Sequence, residues 1–152
     1  MTVETRDLPE RRAAALRHIG PYPEIGAVFG RLLGVIEAQG LWPQIHGMAG
    51  IFHDDPNSVA PADLRSHAAA FIAEEAVVPE GLEPVHLPAG RYAVLTHIGS
   101  YTGLSESWAK LYEDVVAAGL CPGAGPAVEL YLTNPSEVAE AALRTELQLP
   151  LA

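Results

Sequence analysis

The 152-residue sequence predicts an α+β domain made of two related halves, each with one long helix set against a mainly antiparallel sheet. Three observations carry this. His18-Ile19-Gly20-Pro21-Tyr22 returns 79 residues later as His97-Ile98-Gly99-Ser100-Tyr101. The offset then holds without a gap through Leu32 and Leu111, Gly40-Leu41 and Gly119-Leu120, Pro56 and Pro135, and Leu64-Arg65 and Leu143-Arg144. Each half also has one stretch with apolar residues at helical spacing, flanked by stretches that alternate as strands do. Repeat arrays need about three units to bury a core. Two copies are therefore read as fused half-domains of one domain, residues 1–152, with halves 1–75 and 83–152.

Val3 to Leu8 reads as a short strand, ended by Pro9, and Arg12 to Ile19 as a second strand segment. From Pro23 to Gln39, the residues Ile25, Phe29, Leu32, Leu33 and Ile36 form the apolar face of a helix, with Pro23 in its first turn and Gly40 at its C′ position. Gly47 to His53 is a strand and Asp54-Asp55-Pro56-Asn57 a turn. Leu64 to Ile72 is compatible with helix or strand because of Ala68-Ala69-Ala70. Its copy, Leu143 to Leu149, alternates apolar and polar, so both are read as strands. Glu74 to Glu83 is the linker between the copies. Val85 to Leu87 and Arg91 to Ile98 are expected to form an opening strand pair. Thr102 to Ala118 is the second helix, with Leu104, Trp108, Leu111 and Val115 on one face, and Val128 to Leu132 the next strand.

The net charge of −10 repels phosphate, and no Lys/Arg cluster offsets it, so nucleic acid is not expected as a direct partner. No apolar run approaches the ~20 residues of a membrane span, and the first residues do not resemble a signal peptide, so a cytoplasmic location is expected. The single cysteine, Cys121, excludes an internal disulfide and reads as a bystander. No phosphate-binding loop, dinucleotide fingerprint or nucleophile elbow is present, and no histidine stands four residues from another, so neither cofactor nor metal is expected. His18 and His97 are read as strand-end residues whose rings bond nearby backbone.

Glu129 stands out. It lies within Val128-Glu129-Leu130-Tyr131-Leu132, where alternation places Glu129 and Tyr131 on one face. The offset maps Glu129 onto Gly50 and Tyr131 onto Phe52, so the carboxylate belongs to one half only. A glutamate buried without a partner is costly. The residue is thus read as a cleft carboxylate rather than a solvated one. The aromatic residues also pair by the offset: Trp108 with Phe29, Tyr131 with Phe52, Tyr101 with Tyr22. An aromatic wall around one carboxylate suits a lipophilic cation, by cation–π attraction and an ion pair in a low dielectric.

The tandem halves, the two His-Ile-Gly turns with Tyr22 and Tyr101, Asp54-Asp55-Pro56 followed by Leu64-Arg65, and Val128-Glu129-Leu130-Tyr131 with Leu143-Arg144-Thr145-Glu146 together resemble the GyrI-like small-molecule-binding domain. This is also the effector-binding domain of AraC-type and BmrR-type multidrug regulators. The resemblance spans nearly the whole chain. It implies a duplicated SHS2 (strand-helix-strand-strand) fold with a central cleft, and a ligand-contacting glutamate that Glu129 matches. Trp108, Tyr131, Phe52, Tyr101 and Tyr22 are the further ligand-binding candidates. Val3 already begins the first strand, which leaves no room for a helix-turn-helix domain ahead of it, so a stand-alone member is expected.

Three functions follow. The first is sequestration or sensing of a lipophilic, cationic small molecule above Glu129. The second is hydrolysis of cyclopropanoid electrophiles with Glu129 as general base, its pKa raised by burial from roughly 4.3. The third is inhibition of DNA gyrase through a protein contact for which no motif is visible. Whether the chain is an enzyme stays open, because the first two need the same desolvated glutamate.

Overall fold

A computed structural model describes residues 3–152. In chain order the elements are β1 (Glu4–Leu8), β2 (Arg11–Ile19), α1 (Gly26–Gln39), β3 (Gly47–Phe52), β4 (Arg65–Ile72), β5 (Glu83–Leu87), β6 (Gly90–Ile98), α2 (Leu104–Ala117), β7 (Ala127–Tyr131) and β8 (Arg144–Pro150). The class is α+β. The chain divides into two compact units. The first, Glu10–Pro88, carries α1 on strands in the order β3-β4-β2-β5. The second joins the chain up to Pro9 with Ala89–Ala152 and carries α2 on strands in the order β1-β6-β8-β7. The ladders within both units are antiparallel.

The registers repeat at the sequence offset. His18 and Phe52 both face Ser66, and His97 and Tyr131 both face Thr145. Loop bonds repeat too: Gly20 N–H donates to Leu64 O and Gly99 N–H to Leu143 O, each at 2.8 Å. The helices have 14 residues each and β2 and β6 have 9 each, while β3 and β4 are each one residue longer than β7 and β8. All of this is consistent with a duplication.

Leu64 to Ile72 is a strand, as its copy indicated. Alanine is the best helix former, but propensity yields to tertiary context, and here β4 pairs on one edge with β2 and on the other with β3. Small side chains at Ala68 and Ala70 let Val28, Leu32 and Ile36 of α1 sit close to the sheet. In the second unit Leu111 and Val115 pack on Ala93, Leu147 and Leu149, with Leu104 and Trp108 at the margin.

Three expectations are corrected. The opening segments do not pair with each other: β5 pairs with β2, and β6 with β1. A two-residue hairpin needs residues with positive φ. The links Pro9-Glu10 and Pro88-Ala89 offer none, so the chain runs on from one unit into the other. The first helix becomes α-helical only at Gly26, because Tyr22–Ile25 with Pro23 winds as a tighter 3₁₀ turn. Finally, the buried stripe of α1 runs through Val28, Leu32 and Ile36, leaving Leu33 40% exposed.

Truncating Leu111 to alanine removes a side chain that is 2% exposed at the centre of the second core. The expected cost is about 2–5 kcal/mol of unfolding free energy, measured by urea denaturation.

Candidate functional site

Glu129 sits in the middle of β7 and is only 8% exposed. One carboxylate oxygen accepts a hydrogen bond of 2.7 Å from Trp108 Nε1–H. The other accepts one of 2.9 Å from the Tyr131 hydroxyl. Trp108 reaches it from α2, while Tyr131 reaches back along β7 from two residues on, as strand alternation requires. Tyr101, in the 3₁₀ turn ahead of α2, lies against Tyr131 with ring centroids 5.7 Å apart. Tyr112 lies 6.3 Å from Trp108 on the same helix. The aromatic wall thus also supplies the polar contacts: both donors to the carboxylate are the polar ends of aromatic rings.

The turn after β6 places the last member. Gly99 has φ 117°, a conformation side chains disfavour, and it redirects the chain into the turn at Tyr101–Gly103. His97 Nε2–H donates to Ser100 O at 2.8 Å, as His18 Nε2–H does to Pro21 O at 3.1 Å. Both rings therefore bond nearby backbone, as read from the sequence. The remaining nitrogen of His97 meets Ser107 Oγ at 2.7 Å.

Burial raises the pKa of Glu129 above the ordinary carboxylate value, and this outweighs the opposing effects of the Trp108 and Tyr131 hydrogen bonds and of His97. Tyr131 is pushed well above the usual phenol range, by burial first and by the Glu129 charge second. Tyr101 moves the same way for the same two reasons. Among the described residues no Lys or Arg pairs with Glu129. A cavity of about 290 Å³ opens in the same unit between β1, β6 and α2, lined in part by Val94, Leu95, Thr96 and Asp114. It does not include Glu129, against which the rings of Trp108 and Tyr131 close directly.

Of the residues proposed from sequence, the structure brings together Glu129, Tyr131, Trp108 and Tyr101. Tyr22 and Phe52 form their own contact in the first unit, with centroids 4.8 Å apart. The Tyr22 hydroxyl is tied to Asp54 O at 2.8 Å and Arg65 O at 3.1 Å.

The chain as a whole matches a known family. The model of the GyrI-like small-molecule-binding domain fits residues 1–152. The chain belongs to this GyrI-like family. It is 31% identical over 145 residues to a DNA gyrase inhibitor of Serratia proteamaculans, covering 88% of both chains. It is 26% identical to the SPbeta prophage-derived protein YosT of Bacillus subtilis, covering 88% of this chain and 91% of YosT. Among known structures, the EcmrR C-terminal domain superposes with a TM-score of 0.78 at 16% identity, covering 99% of this chain and 97% of that domain. SAV2435 bound to tetraphenylphosphonium superposes with a TM-score of 0.74 at 12% identity, covering 100% of this chain and 94% of the other. At such identities the likeness to these structures is one of fold.

Sequence reasoning missed a chain of polar groups in the first unit. His53 Nε2–H donates to His67 Nδ1 at 2.8 Å, and His67 Nε2–H donates to Glu83 at 3.0 Å. Arg17 holds the same carboxylate at 3.1 Å and 3.2 Å. No spacing rule links residues from β2, β4, β5 and the end of β3. Only the strand registers bring them together. Burial and the neighbouring His67 lower the pKa of His53.

The raised pKa of Glu129 makes a prediction about stability. A carboxylate that binds its proton more tightly in the folded state loses stability as pH rises from the unfolded pKa through the folded one. Glu129→Gln keeps an acceptor for Trp108 and has no charge to desolvate. The Tm of this variant minus that of the wild type should therefore increase from pH 4 to pH 8 in thermal melts. A constant difference would show that Glu129 ionises without penalty.

Proposed function

We propose that this GyrI-like domain binds a lipophilic cation beside Glu129, with Trp108, Tyr131 and Tyr101 as the aromatic contacts. One observation carries the reading: a carboxylate almost removed from water, held by two neutral donors and by no Lys or Arg among the described residues. Hydrogen bonds from an indole and a phenol satisfy its oxygens but leave its charge uncompensated. A cation with an apolar body supplies the missing charge, and its body rests on the rings. The tetraphenylphosphonium held by SAV2435, on a common fold, is a ligand of this kind. The net charge of −10 favours its approach.

Two measurements test this. Glu129→Gln should weaken tetraphenylphosphonium roughly ten- to a hundredfold by calorimetry, the scale of one ion pair at about 6 Å in a partly shielded site. Wild-type affinity should also rise with pH through the raised pKa of Glu129, since the cation competes with a proton, while the variant stays flat. Equal affinities in the two proteins would remove Glu129 from the site.

The same raised pKa favours a second reading, hydrolysis of a cyclopropanoid electrophile. A carboxylate nearer neutrality is a better general base. It would take a proton from a water whose oxygen bonds to a ring carbon as one ring C–C bond breaks, the released electron pair passing to the substrate's conjugated acceptor, which is then protonated. Hydrolases of Listeria innocua share the fold. Product formation that is lost in Glu129→Gln would establish this reading, and a rate no faster than buffer would reduce the domain to binding. Gyrase inhibition, the role named for the Serratia relative, is separated from both by a supercoiling assay with purified gyrase.

A further inference from the structure

Thr145 is fully buried on β8, and its hydroxyl makes no hydrogen bond among the described residues. Its place in the sheet is defined by two registers. It stands opposite Tyr131 on β7 and opposite His97 on β6. Directly opposed residues share a face, with Cβ atoms roughly 5 Å apart and diagonal neighbours roughly 7–8 Å apart. His97, Thr145 and Tyr131 therefore form one row across three strands. Leu95, Leu147 and Glu129 form the next row on that face, so Thr145 is the diagonal neighbour of Glu129.

The groups around this hydroxyl are already engaged. Tyr131 donates to Glu129, and both nitrogens of His97 have partners in Ser100 and Ser107. A buried hydroxyl without a partner costs about 1–3 kcal/mol relative to a satisfied one. Its counterpart Ser66 is unpaired too, but it lies opposite Phe52 and His18 in a unit that carries Gly50 where Glu129 would stand. Of these two buried hydroxyls, Thr145 is the one with a neighbouring carboxylate.

We propose that Thr145 determines which cations the site prefers: its hydroxyl accepts a hydrogen bond from a protonated amine whose charge faces Glu129. This rests on the cation reading of Glu129 and adds the ligand class. Ammonium ions that carry an N–H are favoured over quaternary ammonium and phosphonium ions, which have no proton to donate. A quaternary ion satisfies the carboxylate's charge but leaves the Thr145 oxygen unpaired.

The experiment compares dibenzylammonium with dibenzyldimethylammonium, which share an apolar body and differ in the N–H, and adds tetraphenylphosphonium as a third probe. Calorimetry is run on wild type, Thr145→Val, Thr145→Ser and Glu129→Gln, with a thermal melt of each. Wild type should prefer the N–H ion. Thr145→Val should reduce that preference roughly tenfold and leave tetraphenylphosphonium within twofold. Thr145→Ser should restore the preference. The Tm of Thr145→Val should hold or rise, since an unpaired hydroxyl is replaced by a methyl of the same shape. An unchanged preference in Thr145→Val, or equal weakening of all three cations, overturns the proposal while Glu129→Gln still reports on the carboxylate. A marked fall in Tm for Thr145→Val overturns it as well, because the hydroxyl would then have an internal partner. Failure of wild type to bind any of the three overturns the cation reading and this inference together.

Discussion

The second unit is organised around keeping one carboxylate away from water. Placing Glu129 at 8% exposure in the middle of a strand is unfavourable unless its oxygens are satisfied. The fold brings two donors from different directions, one from a helix and one from two residues along the same strand. Both are aromatic, so each adds a hydrogen bond and a large apolar surface in one residue. Neither is charged. A lysine or arginine in place of either would neutralise the site, and the carboxylate would then have little to offer an incoming cation. Neutral donors keep it hydrogen-bonded yet electrostatically unspent, and burial raises its pKa despite the lowering effect of both hydrogen bonds.

Much of the fold was legible because the chain states it twice. The alternating copy at Leu143 to Leu149 decided the ambiguous Leu64 to Ile72, and the structure has strands in both places. What the repeat could not show was the exchange of the opening strands. An offset fixes which residues correspond and says nothing about which edge a strand joins. β1 and β5 correspond to each other, yet each completes the sheet built mainly from the other copy. The proline links Pro9-Glu10 and Pro88-Ala89 are the local signal, since neither has the turn chemistry of a tight hairpin.

The site was legible to a smaller degree. Glu129 emerged from a difference between copies, because a carboxylate in an apolar strand opposite a glycine in the repeat has no packing reason to be there. The neighbours of Glu129 were named as a wall, and their role as hydrogen-bond donors was not legible. Whether an indole N–H reaches a carboxylate depends on the rotation of α2 over the sheet. That rotation is set by Leu111 and Val115 seating on Leu147 and Leu149, contacts distant in sequence. In the sequence Thr145 is one residue of the Leu143-Arg144-Thr145-Glu146 strand motif. Its significance needs both registers of β8, which place it between Tyr131 and His97.

The two units show how one architecture takes on different electrostatics. At the strand positions corresponding to Glu129 and Tyr131, the first unit has Gly50 and Phe52, with neither charge nor hydroxyl. Its ionisable groups gather instead in the row from His53 through His67 to Glu83 and Arg17. The second unit has Leu132 and Glu146 at the positions of His53 and His67, and Glu146 is neutralised by Arg6 at 2.9 Å and bonded by Gln148 at 2.6 Å. Each unit thus contains an ionisable cluster in which a cation meets a carboxylate, and among the described residues the second also holds a buried carboxylate, Glu129, with no Lys or Arg beside it. Two units of matching topology make this division possible, since one can accept a costly buried charge while the other, with Gly50 in its place, does without.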